Sequence, residues 1–150
     1  MTVTENTIDI AASPATIYRL ASATERWPQI LPHYRSVRVI SARGGWRLVE
    51  MAARHHVFPI RWTAEQTNDD ERPHIAFHHV RGWTRGMDVE WTFEPIDERT
   101  TRVTIIHRLD FAFPFAARWL GRHLVSDYFV HGVASKTLAR MKVLAERGSA

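Results

Sequence analysis

Three stretches of the chain set polar side chains among apolar neighbours at two-residue spacing. Over residues 58–67, strand alternation puts Trp62, Ala64 and Gln66 on one face and Arg61, Thr63, Glu65 and Thr67 on the other. The bulk of Trp62 marks the first set as inward. Over residues 101–110, Val103, Ile105, His107 and Leu109 share a face, and over 74–80 His79 shares one with Ile75 and Phe77 while His78 points away. A neutral imidazole can take a proton or donate a hydrogen bond near neutral pH. A carboxamide can donate to a carbonyl but brings no charge. The chemistry within reach is therefore proton transfer and hydrogen-bond donation. For His107 two roles stay open: a core imidazole satisfied by hydrogen bonds, or a general base or carbonyl donor.

Other chemistries fit less well. The chain has no cysteine, which removes disulfides and thiolate nucleophiles. The histidines (His33, His55, His56, His74, His78, His79, His107, His123 and His131) include no pair at metal-ligand spacing on one helix face, with His131 at most flanking its helix. Neither a metal nor a cofactor is expected.

These side chains need a framework. Residues 3–10 alternate as a strand, and Ser13-Pro14 then opens a short helix, with Ser as cap and Pro where its missing N–H costs nothing. Trp27-Pro28 and Leu31-Pro32 delimit a second short helical piece, since a residue before proline is steered out of the helical region. Six strands follow at 34–40, 46–54, 58–67, 74–80, 87–95 and 101–110. Gly44-Gly45, a turn near His56, the 68–73 cluster, Gly82 to Gly86 and residues 96–100 supply the turns. After Pro114, apolar residues recur at three- and four-residue steps (Phe115, Trp119, Val125, Phe129, Val133, Leu138, Met141, Leu144), predicting one long helix over 115–146 that ends before Gly148. The expected fold is α+β: a curved seven-stranded antiparallel sheet around a long C-terminal helix, in a single domain over 1–150, with a core or cavity between them.

The strings W27-P-x-I-L-P-H-Y34, P59-x-x-W62 and G82-W-T-x-G86-M87-x-x-x-W91-x-F-x-P95, with I106-H107, T137-L138 and A145-E146, resemble the polyketide cyclase/dehydrase family of the START-like helix-grip superfamily. The resemblance covers nearly the whole chain. It implies a helix-grip fold with an internal cavity that binds a poly-β-ketone delivered on an acyl carrier protein, and aldol closure with dehydration to an aromatic ring. Relatives elsewhere in the superfamily only bind or carry aromatic, quinone or lipid ligands, which is the alternative reading. On this resemblance Trp27, Trp62, Met87 and Trp91 form cavity walls with Ala64, His79 and Phe129. Tyr34, Gln66 and His107 become the candidate catalytic groups. The family pattern would place a Ser and an Arg two and four residues past Trp62, where this chain has Ala64 and Gln66.

The formal charge is +4, and 18 of the 20 basic residues are Arg, scattered over strand and helix surfaces. That scatter argues against nucleic acid. A basic rim of Arg81, Arg85, Arg118, Arg122, Lys136, Arg140, Lys142 and Arg147 would suit an acidic carrier protein, or simply solvate the helix and complement its dipole. No window approaches the ~18 apolar residues of a membrane span, and the N-terminus lacks a basic segment followed by an apolar core. The expectation is a cytoplasmic monomer or homodimer.

Overall fold

The computed structural model describes residues 2–55, 57–109 and 132–148. Strand β1 (Thr2–Ile10) is followed by helix α1 (Pro14–Ser22), a 3-10 turn (Thr24–Arg26) and the single-turn helix α2 (Trp27–Ile30). Then come β2 (Tyr34–Arg43), β3 (Trp46–His55), β4 (Phe58–Asp69), β5 (His74–Gly82), β6 (Asp88–Pro95), β7 (Thr101–Leu109) and the C-terminal helix α3 (Ser135–Gly148). All neighbouring strands are antiparallel, in the order β1-β7-β6-β5-β4-β3-β2. This is the expected helix-grip arrangement. Among the described residues no helix is long and apolar enough to cross a membrane.

Helix α1 starts as its sequence dictates: the Ser13 hydroxyl accepts from the Thr16 N–H at 3.2 Å, and Pro14 occupies the first turn. The Trp27-Pro28 boundary is a correction. Trp27 is itself helical (φ −54°, ψ −41°) and Pro28 falls in the first turn of α2, where the lost N–H is harmless, so the pair starts the helix. Leu31, before Pro32, is extended as expected (φ −118°, ψ 101°). Strand β4 also runs to Asp69, two residues into the expected 68–73 turn. Of the long helix expected over 115–146, residues 135–148 are described as helix, preceded by a wider turn at 132–134; Phe115, Trp119, Val125, Phe129 and His131 lie outside the described residues.

On the concave face of the sheet, β3 to β7 each carry an inward series: Val49, Met51 and Ala53; Trp62, Ala64 and Gln66; Ile75, Phe77 and His79; Val89, Trp91 and Phe93; Val103, Ile105, His107 and Leu109. Leu138, Met141 and Ala145 of α3 complete the core. Chain irregularities aim the series. A bulge at residue 80 puts Ala64 opposite His79 while Thr63 pairs with Arg81, which adds twist and turns the end of β5 outward.

Gly82 sits where that bulge meets β4. Its φ is +103°, and a Cβ there would lie 2.7 Å from the Arg61 carbonyl oxygen and 3.2 Å from Trp62 Cα. Gly86 has a similar φ of +94° with open space around it. Gly82→Ala is therefore expected to cost more than the ~1–3 kcal/mol of backbone strain alone, and Gly86→Ala to remain within it. Urea unfolding of the two variants side by side checks the difference.

Candidate functional site

Between the sheet and α3 lies a cavity walled by five aromatic rings: Trp27 from α2, Tyr34 from the start of β2, Trp62, Phe77 and Trp91. Trp27 is the hub, with ring centroids 4.9 Å from Tyr34, 5.9 Å from Trp91 and 6.1 Å from Phe77. Tyr34 in turn stands edge-on to Trp62 at 6.1 Å. Such tilted and edge-to-face pairs are the favoured contacts of aromatic quadrupoles. Met51, Met87, Val89 and Ile105 fill the gaps, and Val133, Ala134 and Thr137 close the helix side. The space left among these side chains is about 40 Å³. That is room for a water or two, against roughly 300–1,000 Å³ for a pocket holding a drug-sized ligand.

Two imidazoles reach this cavity from different strands. His107 on β7 pairs across to Val89 on β6, and Val89 pairs to Phe77, two residues before His79 on β5. The His79 ring stacks on Trp62 (5.6 Å, 5° between planes), and its Nδ1 lies 2.6 Å from the Thr84 hydroxyl. The two share one buried hydrogen bond, which holds the ring in place. Burial, then repulsion from His107 and His78, pulls the His79 pKa down to about 3; burial pulls His107 down to about 4. Both rings are neutral at physiological pH. They are weak bases but ready hydrogen-bond donors, and an anion forming beside either would raise its pKa again. The Trp27 Nε1–H is buried with no hydrogen-bond partner among the described residues, a further donor in the cage.

Gln66 and Ala64 do not line this cavity. Gln66 is fully buried and shares a cross-strand row with Phe77, Val89 and His107, yet its amide turns toward the end of α1. There Oε1 accepts from Thr24 Oγ1 (2.7 Å) and an Arg47 nitrogen (3.1 Å), while Nε2 donates to Ser22 O (3.0 Å) and Asn68 Oδ1 (2.9 Å). A carboxamide has two donors and two acceptor sites, and all are used. The expectation that Gln66 polarises a substrate carbonyl is corrected on this ground. Arg47 brings no charge to the cavity either, since its guanidinium is committed to Glu25 (2.7 Å), Ser22 O, Thr24 and Gln66. Ala64 packs between Val49 and His79. Trp27, Tyr34, Trp62, His79, Met87, Trp91 and His107 do meet around one space, and Phe129 lies outside the described residues.

Thr84, Met51, Phe77 and Thr137 are site residues that sequence reasoning missed. Thr84 sits in the β5–β6 turn, where period-two reasoning does not apply, and its burial follows from the fold of that turn around Met87 N–H···O Thr84 (2.9 Å). The basic rim is also reduced: Lys142 is held by Asp9 O and Glu146 at 2.9 and 2.7 Å. Among the described residues no three His, Asp or Glu side chains converge as metal ligands would.

Comparison with known proteins places this geometry. A family model described as polyketide cyclase / dehydrase and lipid transport matches residues 10–125. The granaticin polyketide synthase bifunctional cyclase/dehydratase of Streptomyces violaceoruber is 26% identical over 110 residues, 72% of this chain and 34% of that protein, so the chain spans about a third of that curated relative. The Zhui aromatase/cyclase of Streptomyces sp. R1128 superposes with a TM-score of 0.82 at 20% identity, over 99% of this chain and 96% of the other. A protein of Thermus thermophilus does so at 0.83 and 25% identity, over 99% of this chain and all of the other (100%).

Two outcomes follow from the buried groups. His79 and His107 both have folded pKa values below the ordinary 6.5, so their full contribution to stability is present above about pH 6.5 and is lost as pH falls toward 4. At pH 5 the loss is about 2 kcal/mol for each ring, measurable as a falling urea midpoint. The imidazole NMR signals of His33, His79 and His107 should stay untitrated between pH 8 and pH 5. Gln66→Met, which strands the groups around the amide, is expected to cost about 3 kcal/mol or more, read by thermal unfolding.

Proposed function

The chain belongs to the polyketide cyclase/dehydrase and lipid transport family, and on that premise we propose that it binds a poly-β-ketone in the aromatic cage and directs its aldol cyclisation and dehydration to an aromatic ring. The observation that carries this reading is the convergence of Tyr34, His79 and His107 with Trp27, Trp62 and Trp91 on one small cavity. Flat rings hold a planar conjugated ligand by its faces and leave its oxygens to a few polar groups. The 40 Å³ present is far smaller than such a ligand, so binding requires the cage to widen.

A methylene flanked by two ketones is already acidic, and its proton can leave to water. The enolate carbon then attacks a distant ketone: a C–C bond forms and the carbonyl oxygen becomes an alkoxide that takes a proton. Loss of a neighbouring C–H proton expels the hydroxyl as water. The sequence of steps needs no oxidant and releases one water per dehydration. Choosing which two carbons meet is the demanding part, and a shaped cavity supplies it by orientation, worth on the order of several kcal/mol. In this reading the Tyr34 phenol protonates the alkoxide or the leaving hydroxyl. The His79 and His107 rings donate hydrogen bonds to ligand carbonyls, and these strengthen as charge builds on oxygen. Ala64 and Gln66, in place of the Ser and Arg the family pattern implied, leave this work to neutral donors. An acidic carrier protein would deliver the chain; residues 1–150 act as one domain.

A second reading, a non-catalytic binder of an aromatic, quinone or lipid ligand, is favoured by one observation: no charged side chain lines the cavity among the described residues. Reconstitution with a minimal polyketide synthase separates the two. The enzyme reading expects one regiospecific product in place of a spontaneously cyclised mixture, with yield reduced ~100-fold in Tyr34→Phe if the phenol is the proton donor. An unchanged product mixture with and without the protein sinks it. A hydrophobic ligand recovered from the purified protein by mass spectrometry would then establish the binder.

A further inference from the structure

On the outside of the same wall, a groove of about 580 Å³ runs between segment 31–34, the end of β3 and the outer face of α3. Among the described residues its polar lining is basic: His33, Arg54, Lys136 and Arg140, beside apolar Pro32 and Val143. We propose that this groove is a binding site for a soluble phosphate ester carrying a short apolar stem.

Three features support an anion site. Arg54, Lys136 and Arg140 pair with no carboxylate among the described residues, so none neutralises their charges in the groove. The Arg140 guanidinium is anchored, because its Nε donates to Ile30 O at 3.0 Å, which holds the planar fork with its outer N–H groups available to two oxygens. The opposing walls are tied together, since the Arg54 N–H donates to His33 O at 2.8 Å.

His33 adds no fourth charge. Burial, then the charge of Lys136, pulls its pKa down to about 4. Thr137 Oγ1 donates to Val133 O, so it accepts from His33 Nε2–H at 2.8 Å. Thr137 also lines the aromatic cavity, which makes one His–Thr pair the partition between groove and cavity. Three cations suit a phosphate, and the Pro32 and Val143 surface suits an attached aliphatic chain. The site is independent of whether the cavity turns over its ligand.

Calorimetric titration with inorganic phosphate, then butyl phosphate, tests this. Saturable binding of both is expected, with butyl phosphate about tenfold tighter through burial of part of its stem. The double variant Arg54→Gln/Lys136→Gln should weaken both about tenfold or more, as loss of two charge-assisted contacts requires. Arg38→Gln, on the exposed face of β2, should not. Both substituted groove residues are exposed, so an unchanged melting temperature confirms folding. Absence of saturable binding, equal affinity in the double variant, or no preference for the ester over inorganic phosphate overturns the proposal. So does binding confined to phosphatidylglycerol vesicles.

Discussion

Gln66 carries its amide into a place that water does not reach, so the protein itself must satisfy all four of its hydrogen-bonding sites. Ser22, Thr24, Arg47 and Asn68 do so, and the consequence extends beyond β4. Thr24 begins the 3-10 turn that runs straight into Trp27, and Trp27 touches Tyr34, Phe77 and Trp91. The carboxamide thus pins the end of α1 to the sheet and sets the hub of the aromatic cage. A charged Arg at this position would need its own counter-charge inside the same buried knot, where Arg47 already stands.

With the cage so held, its polar character follows from burial. Imidazoles among rings lose the stabilisation that water gives their cations, and both His79 and His107 stay neutral. That shifts their chemistry from taking protons to donating hydrogen bonds. Thr84 adds to this, because its hydroxyl engages Nδ1 of His79 at 2.6 Å and holds the ring in place. The site reads as a set of neutral donors on an aromatic frame, suited to aligning carbonyls more than to abstracting protons. Outside, a step away across the His33–Thr137 pair, the electrostatics reverse and unpaired cations gather.

Much of this was legible beforehand where one rule governs. Strand alternation, bounded by glycine and Asx-rich turns, assigned faces on β4, β5 and β7 that agree with the burial of Trp62, His79 and His107. It failed where the backbone departs from strand geometry. Thr84 lies in a turn, Trp27 is itself helical although it precedes Pro28, and β4 outruns its polar turn residues.

By itself, then, the sequence determined the order of the described elements, the antiparallel meander, the faces of Trp62, His79 and His107, and the family pattern those residues compose. Alternation is a local property of the backbone, so neighbours in sequence suffice to read it. Tertiary structure alone decided where a side chain ends. Gln66 and His107 lie in one row on one face, yet one points into a hydrogen-bond knot and the other into a cavity. The difference is made by α1 and β3, which come from elsewhere in the chain and offer Gln66 its partners. The size of the cavity is likewise a sum over packed rings from separate elements, and no local pattern contains that sum.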